Sequence, residues 1–117
     1  MNKQRLSRSG KDYYNALTQR DILNNDIRKQ IRKAKPQAMV SVDGGSVNIV
    51  NEGKGIAYAV EGQTSPIKVV AGGADAVELL SAPAVGYRNI GHALEELLHH
   101  SLYLESVIKA TEPRDIV

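Results

Sequence analysis

The stretch GHALEELLHH, residues 91–100, places three histidines and two glutamates within ten positions. Imidazoles and carboxylates at that density raise two chemistries at once, metal binding and acid–base catalysis. Glu96 and His99 stand at i and i+3, the spacing used by carboxylate-bridged metal sites in helical bundles. Such sites point inward and draw further carboxylates from other helices. Zinc wants a third or fourth ligand, and His92, His99 and His100 are all the histidines the chain has, so symmetric copies would have to supply the rest. On a wheel of about 100° per residue, His92, Glu95, Glu96, His99 and Tyr103 gather on the side away from the helix's apolar residues. The expectation is a solvated or interface-lining polar face, with no metal and no cofactor.

Catalysis finds no better footing. Glu95 and Glu96 are neighbours and point about 100° apart on a helix, so they do not flank one bond as acid and base. The sequence has no nucleophile elbow, no P-loop and no HExxH spacing. With no Cys, thiol nucleophiles, disulfides and Cys-ligated zinc are excluded. The chain reads as non-enzymatic.

Two segments offer anion binding. VVAGGADAVELL, residues 69–80, runs strand, glycines, helix, and backbone amides at such a junction can hold a phosphate. Asp75 stands where the anion would go and can satisfy those amides itself, which favours an ordinary glycine-rich connection. The basic N-terminal region is the stronger prospect. Residues 1–35 carry ten Lys and Arg against three Asp, a net +7, and residues 36–117 carry five basic against ten acidic groups, a net −5. Arg5 and Arg8, followed by Arg28, Lys29, Arg32, Lys33 and Lys35 in RKQIRKAK, are the candidate phosphate or nucleic-acid contacts. The segment TQRDILNNDIRKQIRKAK has a helix-turn-helix cadence, but Asn24 and Asn25 stand where the turn wants a small residue and glycine. Without interleaved aromatics it is no stacking platform for single strands. Contact blind to base sequence is the expected mode; a solvated helix face is the alternative.

The elements that must carry these groups follow from periodicity. The 117 residues suffice for one domain. Residues 1–10 are polar and basic without periodicity and read as an arm. Residues 11–35 read as a basic helix, with Ala16, Leu23, Ile27, Ile31 and Ala34 near helical spacing and Pro36 as its stop. Thr18 followed by Asp21 resembles an N-cap arrangement, so one helix and two both fit. Over residues 38–71 the period changes to alternation. AMVSV, VNIVN, GIAYAVE and PIKVVA are separated by DGGS, NEGKG and GQTS, which predicts an antiparallel meander of about four strands. Ile56, Tyr58 and Val60 share one face of the third strand, opposite Ala57, Ala59 and Glu61.

The part from 74 to 110 is helical: a short helix over Asp75–Leu80, then a long one from near residue 83 or 88 to about 110. Tyr87, Ile90, Leu94, Leu97, Ser101, Leu104 and Ile108 recur at alternating steps of three and four, a heptad seam, and Pro83 fits a helix start. The class is α+β: N-terminal basic helix, small antiparallel meander, short helix, long C-terminal helix.

A seam larger than its own fold can hide would bury itself against a second copy. The leading expectation is therefore a non-enzymatic homo-oligomeric assembly or structural protein, of which a small virion component such as a capsid decoration or connector protein is one instance. In it the seam forms the oligomer interface, and the basic N-terminus tethers neighbouring virion proteins or nucleic acid. The alternatives are a nucleic-acid-binding regulator or inhibitor using the basic helix, and a nucleotide-sequestering protein whose interface presents Tyr, Arg88, His92 and His99. No apolar run approaches the roughly 20 residues of a membrane span, and the N-terminus lacks a secretory stretch. A soluble protein, cytoplasmic or in a virion and not secreted, is expected.

Overall fold

The computed structural model describes residues 2–61 and 67–112, with side chains from Lys11 onward. Its elements are α1 (Asn2–Ala34), β1 (Met39–Asp43), β2 (Ser46–Asn51), β3 (Lys54–Val60), β4 (Ile67–Ala71), α2 (Gly73–Ser81) and α3 (Ile90–Thr111). The four strands form one antiparallel sheet in the order β1-β2-β3-β4. The α+β architecture is thus the one expected from the sequence.

Helix α1 is continuous, which decides between one helix and two. The Thr18 hydroxyl donates back to the Tyr14 carbonyl at 3.0 Å, inside the helix, instead of capping a new one. The segment expected as an arm is also helical in its backbone from Asn2, a correction to the sequence reading. Lys, Gln, Arg and Leu are good helix formers, and extending an existing helix costs far less than nucleating one. At the other end Pro36 acts as the stop. The last helical bond runs from the Lys35 amide to the Ile31 carbonyl, and a turn returns the chain through Ala38 to β1.

The sheet alternates as its sequence does. Val47 and Ile49 on β2 and Ile56 and Tyr58 on β3 are buried, and all three helices pack on that face. Gly72 joins β4 to α2 with φ 125. A β-carbon there would lie 2.9 Å from Ile56 Cγ2, so both backbone conformation and space require glycine. Helix α2 places its Ala76 carbonyl where the buried Tyr58 hydroxyl donates to it at 3.3 Å.

Helix α3 begins at Ile90 and not at Pro83. The Asn89 side chain accepts from the His92 amide at 2.8 Å and so caps the helix, which leaves Pro83 in a loop. Two hydrogen bonds pin this loop to α1: the Gln30 side-chain amide donates to the Val85 carbonyl at 2.9 Å and accepts from its N–H at 3.1 Å. Tyr87, expected in the seam, precedes the helix and lays its ring edge-on against His92.

The rest of the seam lies inside the molecule. Ile90, Leu94, Leu97, Ser101, Leu104 and Ile108 are buried, and so are Ala93 and Leu98 beside them. Arg20 on α1 pairs with Glu105 on α3 at 3.1 Å, which fixes the two helices side by side. Ala16, Leu23, Ile27 and Ile31 of α1 join the same apolar cluster as α3 and the sheet. The stripe expected to bind a second copy is covered by the chain's own α1 and sheet, so its residues are core and not oligomer interface.

Two predictions follow from this core. Ser101 is buried on α3 with no hydrogen-bond partner for its hydroxyl among the described residues, so Ser101→Ala removes an unsatisfied group and adds helix propensity. Urea denaturation should show a gain of about 1 kcal/mol; an equal loss would mean that the hydroxyl is bonded. Burial pushes the Tyr58 hydroxyl up to about 12 from 10.0, because the phenolate is disfavoured away from water. The folded state therefore holds this proton more tightly than the unfolded chain. Its contribution is fully present below pH 10 and is lost as pH rises from 10 towards 12. Over that window the fall in stability should be steeper for the wild type than for Tyr58→Phe.

Candidate functional site

The histidine stretch occupies the outer face of α3, as its position on the wheel implied. His92 is held locally: Nδ1 accepts from the Arg88 amide at 3.4 Å and Nε2 lies 3.3 Å from Glu96. His99, His100, Leu102 and Tyr103 line a separate shallow depression of about 330 Å³. Seven residues of helix separate His92 from His99, about 10 Å of rise. Arg88 and His92 do not line that depression. Among the described residues no three His, Asp or Glu side chains converge.

The glycine-rich junction behaves as a connection. Asp75, in the first turn of α2, ion-pairs with Lys54 at 3.2 Å. The adjoining cleft, lined in part by Lys35, Glu52, Lys54 and Asp75, is electrically mixed and gives an anion no net attraction. Lys35 lines this mixed cleft.

The basic helix divides in two. Arg28 Nε donates to the Val40 carbonyl at 3.3 Å and Arg32 Nε to the Ala38 carbonyl at 3.4 Å. Alternate carbonyls of a strand point the same way, so both arginines cover the outer edge of β1, where an unpaired strand would otherwise recruit another. Through these bonds their Nε groups serve the fold. Lys29 and Lys33 are exposed on the outward face of α1. Arg5 and Arg8 have side chains outside the described residues.

What the sequence reading missed is the far face of the sheet. With every helix on one side, the other is open. Its cross-strand rows are Met39, Val50 and Gly55; then Ser41, Asn48, Ala57 and Ala71; then Asp43, Ser46, Ala59 and Lys68. Met39 and Val50 sit directly opposite each other and are 71% and 48% exposed. The remaining side chains are small, and Asp43 and Lys68 are the charged ones among these rows. A water-facing antiparallel sheet usually alternates polar outward. This one presents a flat, weakly charged surface with an apolar corner. The signal was in the sequence: VNIVN has apolar residues on both parities, and AMVSV puts Met39 out of phase with Val40 and Val42.

Replacing Arg28 and Arg32 together by Ala should lower stability by about 1–3 kcal/mol in urea denaturation, since two edge carbonyls lose their donors, whereas Lys29→Ala with Lys33→Ala should leave stability within about 0.5 kcal/mol. Equal effects from the two pairs would remove the structural role of the arginines. No protein-family model, no curated protein and no solved structure matches the chain.

Proposed function

We propose that this chain is a non-catalytic assembly protein that associates with itself through the open face of its sheet. The single observation carrying the reading is the exposed Met39–Val50 pair on an otherwise small-residue, weakly charged face. Sheets stack face to face at about 10 Å when their side chains are short enough to interdigitate. Ala57, Ala59, Ser41 and Ser46 meet that demand, and covering Met39 and Val50 supplies hydrophobic driving force. This keeps the assembly role expected from the sequence but moves its surface from α3 to the sheet, because the α3 stripe is occupied.

The proposal gives α1 a supporting role. Arg28 and Arg32 guard the β1 edge, and the outward lysines keep the helical layer soluble. No helix among the described residues is long and apolar enough to cross a membrane. Where such an assembly would reside, in a cell or in a virion, is set by its partners.

Light scattering should give a mass above the 12.7 kDa of one chain at tens of micromolar. Val50→Lys combined with Met39→Lys should return it to a single chain that still unfolds cooperatively, at a temperature no longer dependent on concentration, and association of the wild type should persist as salt is raised. A wild-type mass of one chain under these conditions overturns the reading. Salt-sensitive binding of duplex DNA, lost when Lys29 and Lys33 become Ala, would replace it with the nucleic-acid reading.

A further inference from the structure

Helix α1 outruns the body it packs on. Arg20 meets Glu105 at 3.1 Å, and Asp12 and Ala16 share a depression with Leu104 and Thr111. The two helices therefore run antiparallel, and α3 ends level with Asp12. The β1–β2 turn stops earlier, where Gly44 and Gly45 lie against Glu105 and Leu102. None of residues 11–15 is buried, and Lys11 and Asp12 are exposed. The backbone nevertheless stays helical to Asn2. Residues 2–11, at about 1.5 Å each, carry α1 roughly 15 Å past the end of α3. The molecule accordingly measures 56 Å along its long axis against 28 and 27 Å across. Residues 1–11 contain Lys3, Arg5, Arg8 and Lys11 and no Asp or Glu, whereas the rest of α1 intersperses Asp12, Asp21 and Asp26 with its basic groups. The overhang thus keeps an undiluted positive charge. At about 100° per residue its four basic positions span an arc of about 200°. Asn2, Leu6 and Ser9 lie outside that arc and continue the line of Ala16, Leu23, Ile27 and Ile31.

We infer that this overhang is a docking surface for duplex nucleic acid, laid in the major groove and held by phosphates on both of its walls. The groove admits an α-helix, and its two walls meet both flanks of so wide a basic arc, whereas a flat acidic protein surface touches one flank. A bilayer fits less well, because Leu6 is the one large apolar residue among residues 2–11 and an interfacial helix needs an apolar face. Single strands fit less well too, because the first aromatic residue is Tyr13 and stacking needs rings. Contacts to phosphate fix position without reading base sequence. One copy carries the whole surface, so the inference goes beyond the self-association proposed above and does not depend on it.

Fluorescence anisotropy with a short duplex DNA of arbitrary sequence tests this on the full chain. Four phosphate contacts give a slope of about −3.6 in log affinity against log salt, so a fourfold rise in salt should weaken binding about 150-fold. Lys3→Ala, Arg5→Ala and Arg8→Ala together should bring the slope to about −1 and leave cooperative unfolding in place. Lys29→Ala with Lys33→Ala should leave affinity and slope at their wild-type values. Absence of binding at low salt overturns the inference, as does a triple variant that binds like the wild type. A loss in the Lys29 and Lys33 variant as large as in the triple variant overturns it in favour of the body of α1. Tighter binding to the single strand, or to phosphatidylserine vesicles, overturns it in favour of that partner. Light scattering without DNA reports self-association separately, so the two readings fail independently.

Discussion

Everything in this molecule depends on the burial of α3 between α1 and the sheet. Ile90, Ala93, Leu94, Leu97, Leu98, Ser101, Leu104 and Ile108 are buried along its length. A strict heptad seam is a narrow line that one neighbouring helix can cover, whereas an arc including Ala93 and Leu98 is wider than such a line. It needs a neighbour on each flank. Helix α1 supplies one and the sheet the other, and each large aliphatic side chain contributes about 1.5–3 kcal/mol when fully withdrawn from water. With a core built of Ile, Leu, Val and Ala and one buried tyrosine, little else could carry the stability.

That constraint decides what is left outside. A helical layer that spends its apolar surface on one face of a four-stranded sheet has none for the other face. Ile49 is buried while its neighbour Val50 is exposed, a direct result of the period of two in a strand. Tyr58 sits on the covered side with its hydroxyl donating to Ala76, and its neighbours Ala57 and Ala59 fall on the open side. The open face is thus the reverse of the core's own alternation. The same layering places β1 beside α1, where arginines reach its edge, and puts β4 at the far edge.

Most of the architecture was legible in the sequence because it rests on local signals. Alternation in VNIVN and GIAYAV, turn residues at DGGS and NEGKG, and Pro36 after the basic helix each state a local preference that the fold keeps. The start of α3 was misread because Pro83 and Asn89 are both good starters, and the loop between them is held by Gln30, 55 residues away. The seam was recognised but its partner was not. A step of three and four says that a stripe exists; whether it meets α1 of the same chain or a helix of another is a matter of chain reversal, which no spacing encodes. The open face went unread for a related reason, since two exposed residues become a patch only when register sets Met39 opposite Val50.

The charge asymmetry, +7 before residue 36 and −5 after it, invites a reading in terms of polyanions, and the structure offers an internal one. Arg20 meets Glu105 on α3, and Arg28 and Arg32 meet carbonyls at the edge of β1. Guanidinium suits both tasks, since it can keep its charge in water while its donors reach a carboxylate or a backbone oxygen. The lysines divide differently. Lys29 and Lys33 point outward, and Lys54 and Lys68 hold Asp75 and Glu61 at the surface. Three of the ten basic residues before residue 36 thus fasten the long helix to the remainder of the chain, with arginine at the joints and lysine at the surface. A helix so fastened covers one edge of the sheet and, together with α2 and α3, one of its faces, and the opposite face stays open.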